Sequence, residues 1–341
     1  MILDEPTSAL TESEAEHLLD ILRELKSKGV TCIYISHKLE EVFDIADSIT
    51  VLRDGKTITS DKKENFTMNK VISLMVGREL TQRFPKVQHN AGEVILEVKD
   101  YTVYDPEIPN KKIIDNVNFY VKRGEILGIA GLMGAGRTEL FSSIFGAYKG
   151  RKEGKVFLEG KELTINNPNE AIKNGIAYLS EDRKRYGLVT LMDVQENIAL
   201  SNYDRISKFS VINNNAKVKY AEKYVNELKI KTPSLAQRVG NLSGGNQQKV
   251  VLGKWLMSDP KVLFLDEPTR GIDVGAKFEI YNIMNELVEM GVCVVFISSE
   301  LPEILGMCDR ILVIHEGKIN GEFLIEEADQ EKIMHCATGG N

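Results

Sequence analysis

The sequence predicts an α/β layer fold on a mainly parallel sheet. Three observations carry this: an internal repeat, an alternation of apolar strand runs with helices, and a glycine loop set between a strand and a helix. In the repeat, MILDEPTSAL…GVTCIYISHKLEEVFDIADSITVLRDGK aligns without gaps against LFLDEPTRGI…GVCVVFISSELPEILGMCDRILVIHEGK. Asp4 pairs with Asp266, Gly29 with Gly291, Ser36 with Ser298, Asp47 with Asp309 and Gly55 with Gly317. Roughly a third of the aligned positions are identical and the apolar pattern matches nearly throughout, so the chain holds two copies of one module.

The copies are unequal. Residues 1–78 begin one strand before their acidic pair, and a parallel sheet needs cover on both faces. They are therefore expected to be the C-terminal part of a first domain whose front lies outside the sequence. Residues 79–93 are polar, contain Pro85 and Gly92 and lack periodicity, which is linker chemistry. The second domain is expected over 94–338. It opens with strand signals at Val94–Val98, Ile113–Val121 and Ile126–Ala130, which lead into the glycine loop and a helix. Residues from about 190 to 235 are polar and helical; with the helix after them they suggest an inserted helical subdomain over about 190–255. Strand and helix then alternate: Val262–Leu265, a helix through Ala276–Val288, Val292–Ile297, a short helix, and Ile311–Ile314.

The 341 residues are 43% hydrophobic and 27% charged, ordinary values for a globular chain with a core. A net charge of −7 argues against a nucleic-acid binder, whose footprint is strongly basic. Cys32, Cys293, Cys308 and Cys336 are scattered, with no pair at metal spacing, and read as reduced thiols. Cys32 and Cys293 fall in apolar runs and are expected to be buried. No stretch approaches the ~20 apolar residues needed to span a bilayer, and the start has no secretory core. If the protein works at a membrane, another subunit does the spanning.

Three constellations carry chemistry. GLMGAGRT comprises Gly131, Leu132, Met133, Gly134, Ala135, Gly136, Arg137 and Thr138, with Glu139 next, and follows an apolar strand. It fits a phosphate-binding loop except that Arg137 stands where lysine is expected. Its glycines turn N–H groups toward phosphate oxygens, the next helix adds its positive end, and Thr138 offers a hydroxyl to Mg²⁺. VLFLDEP ends a strand in Asp266 and Glu267, one suited to a metal and the other to orienting or deprotonating a water. A turn with solvated acids would explain one such pair but not two copies, each followed by Pro-Thr. NLSGGNQQK places Ser243, a good N-cap, before Gly244, Gly245, Asn246 and Gln247, leaving a helix end facing outward.

The LSGG string resembles the signature motif of ABC ATPases, and with the other two motifs the chain is identified as a member of that family. The resemblance implies a P-loop ABC cassette preceded by the C-terminal part of another, with ATP and Mg²⁺ as ligands. In that family two cassettes sit head to tail, each ATP held between one phosphate loop and the other's signature. By the same resemblance Asp4 and Glu5 look like the first acidic pair, with Glu5 and Glu267 catalytic, and Ser8–Thr11 the loop toward the partner. His37, also catalytic by the resemblance, looks like the switch histidine that reaches the γ-phosphate, replaced by Ser299 in the second copy. Glu181 stands where a glutamine is usual and is a metal-side candidate with Thr138 and Asp266. Tyr104 is a candidate for stacking on adenine, beside the plain alternative of packing in a strand.

Arg137, Glu181 and Ser299 depart together from the general pattern, as in an unequal pair with one proficient and one degenerate site. Arginine is a planar fork and lysine a compact charge, so the two are not equivalent at a phosphate. GLMGAGRTEL, SEDRKRYGL, LSGGNQQK and DEPTRGIDVGAK are similar to the tandem ATPases of bacterial monosaccharide importers, with ribose, xylose and galactose systems nearest. MVGRELTQRFP leans toward xylose, hence a pentose. The resemblance covers the whole chain. It implies an integral-membrane permease as partner, an external sugar-binding protein indirectly, a second copy of the chain as a further option, no nucleic acid, and a place on the cytoplasmic face of the bacterial plasma membrane. Neither ATP sandwich closes within one copy, so the chain is expected to hydrolyse ATP poorly. The alternative is a nucleotide-binding but hydrolysis-deficient fragment or pseudo-ATPase.

Overall fold

The computed structural model describes residues 1–340 apart from 8–9, 11, 37, 54, 77–83 and 210. It divides into two units, Met1–Arg83 with Gly271–Phe278, and Phe84–Arg270 with Glu279–Asn341.

The first unit runs β1 (Ile2–Asp4), α1 (Glu12–Ser27), β2 (Ile33–Ile35), α2 (Leu39–Ile45), β3 (Ser48–Arg53), β4 (Lys56–Lys62) and α3 (Met68–Val76). In α1 the buried residues Ala15, Leu19 and Leu22 recur at helical spacing, while the charged residues between them face out. β3 and β4 form a hairpin over a core of Leu39, Ile49, Val51, Phe66, Val71 and Ile72. β1 and β2 pair in parallel as a two-stranded sheet. Ile2, Ile33 and Ile35 are 71%, 56% and 47% exposed there. Their repeat counterparts Phe264, Val295 and Ile297 are fully buried. Cys32 also departs from expectation: it is only partly buried, because the thin sheet beside it gives little cover.

In the second unit, β5 (Val94–Tyr104), β6 (Lys112–Lys122), β8 (Lys152–Leu158) and β9 (Lys161–Leu163) form an antiparallel sheet ordered β6-β5-β8-β9. This sheet was not anticipated, since only the second half of β8 carries buried apolar residues and its first half is polar and interrupted by Gly154, so its apolar signal is faint. β7 (Ile126–Ala130), β10 (Ile176–Leu179), β13 (Val262–Asp266), β14 (Cys293–Ile297), β15 (Arg310–His315) and β16 (Lys318–Leu324) make the main sheet, ordered β10-β13-β14-β7-β15-β16. All of its pairs are parallel except β15 with β16. Every residue of β7, β13 and β14 is buried, as expected for parallel strands covered on both faces.

Around the sheets lie α4 (Arg137–Ile144), α5 (Pro168–Lys173), α9 (Val274–Glu289), α10 (Leu301–Met307) and α11 (Gln330–Ala337). α4 packs on β5 and β6, α10 on β7, and α11 on β15 and β16. Phe141 of α4 stacks edge-on with Phe119 and Phe264, filling the space between the sheets. Between β10 and β13 come α6 (Val194–Ala199), a hairpin of β11 (Ser207–Lys208) and β12 (Val211–Ile212), α7 (Asn214–Glu227) and α8 (Gly244–Leu256).

Residues 84–92, part of the stretch with linker composition, run along the second unit. The Phe84 ring meets Tyr281, Lys86 Nζ donates to the Cys308 carbonyl at 2.6 Å, and His89 Nδ1 lies 3.2 Å from Asp309.

Candidate functional site

Register brings the site together. Ile297 of β14 pairs with Ile129 of β7 on one side and Asp266 of β13 on the other, so all three strands end at one edge of the sheet. Ligands of open α/β sheets gather at such carboxyl ends. The loop after β7 turns through positive φ at Gly131, Gly134 and Gly136 (153°, 78° and 100°). A Cβ on Gly131 would lie 2.4 Å from the Ile314 carbonyl oxygen, so this position admits no side chain. Gly136 precedes α4 and offers no side-chain cap. The first N–H groups of that helix are thus left for a ligand, with the helix dipole behind them.

The resulting cleft has a volume of about 310 Å³. Of the residues singled out in the sequence, Met133 to Glu139, Glu181, Glu267 and Ser299 line it, joined by Arg270 and Glu300. Gly131 and Leu132 are not in its lining. Arg270 pairs with Glu181 at 3.4 Å and was missed; its place directly after DEPT was the available signal.

The electrostatics centre on Glu267. Its backbone is left-handed (φ 48°) and its N–H bonds the Ile297 carbonyl at 2.9 Å. Arg137 Nη2 sits 3.6 Å from Glu267 Oε1, while Arg137 Nη1 donates to the Ser298 carbonyl at 2.8 Å. Ser299 Oγ donates to Glu267 Oε2 at 3.2 Å. Burial lifts the Glu267 carboxyl to about 7, against the lowering pull of Arg137 and Ser299. Asp266, 1% exposed, accepts from Thr138 Oγ1 at 2.8 Å and from the Tyr178 hydroxyl at 2.7 Å. Burial raises its pKa too, opposed by those two donors. Tyr178 went unnoticed because a tyrosine in an apolar strand has no motif to mark it.

Among the described residues, no three His, Cys, Asp or Glu gather into a metal cage. The Thr138 hydroxyl and the Asp266 carboxylate are hard oxygen donors in mutual contact. That suits Mg²⁺, which keeps waters and phosphate oxygens as most of its ligands.

The other candidates lie apart. Tyr104 is not in the cleft lining; the Arg151 guanidinium stacks on its ring at 3.9 Å and its hydroxyl donates to Glu153 at 3.1 Å. Ser243 takes the N-cap position of α8 without the expected side-chain cap. Its hydroxyl is occupied by Asn246, whose Nδ2 donates to it at 2.9 Å. Gln247 is buried, its Nε2 donating to the Val239 and Leu242 carbonyls and its Oε1 accepting from Arg183. Gly244 and Gly245 form the first residues of α8, and no residue of Ser243–Gln247 lines the cleft.

In the first unit Glu5 follows β1 with φ 46°, and its N–H bonds the Ile35 carbonyl at 2.9 Å, repeating the backbone of Glu267. Ser8, Ala9, Thr11 and His37 lie outside the described residues.

Residues 114–270 match the family model described as ABC transporter. The chain is 82% identical over 340 residues to the xylose import ATP-binding protein XylG of Thermoanaerobacter pseudethanolicus, covering 100% of this chain and 67% of that protein. It is 53% identical to the L-arabinose transport ATP-binding protein AraG of Geobacillus stearothermophilus, covering 99% of this chain and 66% of that one. The chain thus spans about two thirds of the length of these relatives. Among solved structures it is similar to a nucleotide-free ATP-binding cassette from an ABC transporter, with a TM-score of 0.59 and 25% identity over 72% of this chain and 96% of that one. It is also similar to an ATP-binding cassette of an ABC transporter in its ADP conformation, with a TM-score of 0.58 and 26% identity over 73% and 96%.

Proposed function

The chain belongs to the ATP-binding proteins of ABC transporters, and from that membership and the cleft at the strand ends we propose that it binds Mg·ATP there and serves import of a pentose. The observation that carries the nucleotide reading is the left-handed glycine loop opening onto an uncapped helix end, with Arg137, Thr138 and Asp266 grouped beside it. On this reading the loop N–H groups and Arg137 hold phosphate oxygens. Thr138 and Asp266 hold Mg²⁺, whose contribution when bound is to neutralise charge on the phosphates. Glu267 orients the attacking water or takes its proton. Tyr104 stacks on adenine only if the base shares or displaces the Arg151 guanidinium. Glu5 and His37 serve the first copy, and Ser243 to Gln247 face a nucleotide held by another cassette.

The pentose follows from the relatives, named for xylose import and L-arabinose transport. No helix among the described residues is long and apolar enough to cross a membrane. The proposed partner is therefore an integral-membrane permease met at the cytoplasmic face, with an external sugar-binding protein acting on it and no nucleic acid involved. A second copy of the chain is a further partner, since two second units could face each other.

A hydrolysis-deficient nucleotide binder is the second reading, favoured by Arg137 pairing with Glu267, the group that should act on water. Titration of the purified chain with Mg·ATP tests the first step. Saturable binding is expected, weakened at least about tenfold by Arg137→Ala, the loss of a charge-assisted phosphate contact. Turnover should be slow. Absence of binding would refute the reading, and brisk Mg²⁺-dependent hydrolysis abolished by Glu267→Gln would refute the expectation of poor activity.

A further inference from the structure

Behind the cleft lies a buried carboxylate that is not part of its lining. Glu303 of α10 is 1% exposed. Its Oε2 accepts from Thr269 Oγ1 at 2.7 Å and from Ser298 Oγ at 2.8 Å, and its Oε1 accepts from the Tyr281 hydroxyl at 2.8 Å. Thr269 lies two residues after Glu267. Ser298 directly precedes Ser299, and its own carbonyl holds Arg137. One carboxylate therefore fastens both loops whose side chains meet at Glu267. Through Tyr281, whose ring meets Phe84, it is also joined to the 84–92 segment.

The repeat supplies an independent instance. Glu41, the counterpart of Glu303, accepts from Thr7 Oγ1 at 2.8 Å and from the Tyr34 hydroxyl at 2.6 Å. Thr7 is the counterpart of Thr269, so the threonine–glutamate bond occurs twice. The tyrosine does not correspond: it comes from β2 in one copy and α9 in the other. The reciprocal positions hold Phe296 and Leu19, which have no hydroxyl. Two different positions thus supply the same donor to the same carboxylate. A space to be filled would not require that, because well-packed apolar residues fill a core at no greater cost than a buried charge.

We infer that Glu303 is a positioning residue of the phosphate site: it sets the spacing of the Glu267 and Ser299 loops, and with it the fit of the terminal phosphate. The inference rests on the nucleotide reading above. Its readout is discrimination between nucleotides with and without the third phosphate, which lost stability alone does not alter.

Titrations with Mg·AMP-PNP and Mg·ADP, with a melting curve for each protein, compare the unaltered chain with Thr269→Val, Tyr281→Phe, Glu303→Gln and Glu303→Leu. Thr269→Val is expected to lower the preference for AMP-PNP at least about tenfold, as for one lost hydrogen bond to a charged acceptor, with ADP affinity within about twofold. Glu303→Gln keeps the shape and can still bond the hydroxyls, so it should retain part of the preference that Glu303→Leu loses. Tyr281→Phe keeps the ring packed on Phe84 and guards against a variant that fails to fold. If the unaltered chain binds neither nucleotide, the nucleotide reading fails. If it binds both, the positioning inference alone is overturned by a preference unchanged in the folded variants, by parallel weakening of both nucleotides, or by no preference to begin with.

Discussion

At Glu267 burial outweighs both favourable partners, so the carboxyl holds its proton to about pH 7, against an ordinary value of 4.5. Below 4.5 it is protonated folded or unfolded and adds nothing to the balance. Between 4.5 and 7 the unfolded chain gives up the proton first, so stability falls as pH rises; above 7 the cost is constant. At about 1.4 kcal/mol per pKa unit the cost is about 3 kcal/mol, without discount for solvent because the side chain is only 9% exposed. Glu267→Gln should therefore stabilise the ligand-free chain by up to that amount at pH 8 and hardly at all at pH 4, as read from urea unfolding at both. A variant less stable than the parent at pH 8 would show that the Arg137 contact outweighs burial. Glu125 sits in a buried ion pair. It and Arg310 are 3% and 4% exposed and share bonds of 2.8 and 3.2 Å. Glu125→Ala leaves the guanidinium buried but still beside the Glu322 carboxylate and the Tyr120 carbonyl, so about 2–3 kcal/mol should be lost in the same assay, less than for a fully orphaned buried charge.

Elements show where reading residues one by one reaches its end. The phosphate loop, the acidic strand and the signature helix were legible because each combines a periodic apolar run with special residues at fixed spacing: Gly131 to Gly136, Asp266 with Glu267, Ser243 to Gln247. The contacts behind them were not. Tyr178 and Glu303 sit in plain strand and helix, and only the register of β10, β13 and β14 brings them to Asp266 and Thr269. Residues 84–92 illustrate the same limit, since polar composition without periodicity gives no sign of a packing partner. Their anchor is testable at Gly306 of α10, where a Cβ would lie 2.3 Å from the Phe84 ring. Gly306→Ala favours the helix itself by up to about 1 kcal/mol. A faster proteolytic cut or faster amide exchange within 84–92, with β7 unchanged, would then report the segment lifting off rather than α10 fraying. Unaltered protection of 84–92 would mean that Phe84 finds another seat.

For the whole molecule, the repeat offers a comparison of one sequence pattern in two settings. Ile2, Ile33 and Ile35 stand on a two-stranded sheet, and Phe264, Val295 and Ile297 stand inside a six-stranded one. Apolar burial contributes roughly 25 cal/mol per Å², so the same pattern stabilises the two sheets very differently, and local opening follows that difference. Amides of Ile2–Asp4 and Ile33–Ile35 should exchange far sooner than those of Val262–Asp266 and Cys293–Ile297, although the backbone registers correspond. Nucleotide sharpens the contrast, because a ligand bound only by the folded state adds about 2.7 kcal/mol at a hundred times its dissociation constant. That gain should appear in exchange at Met133–Glu139, which line the cleft, and in β7 and the end of β13, which lead into it, and leave the β3–β4 hairpin unchanged. Hydrogen-exchange mass spectrometry with and without Mg·ATP reads both effects at once. Equal added protection in β3–β4 would mean that the chain opens as one cooperative body despite the poor cover on β1 and β2.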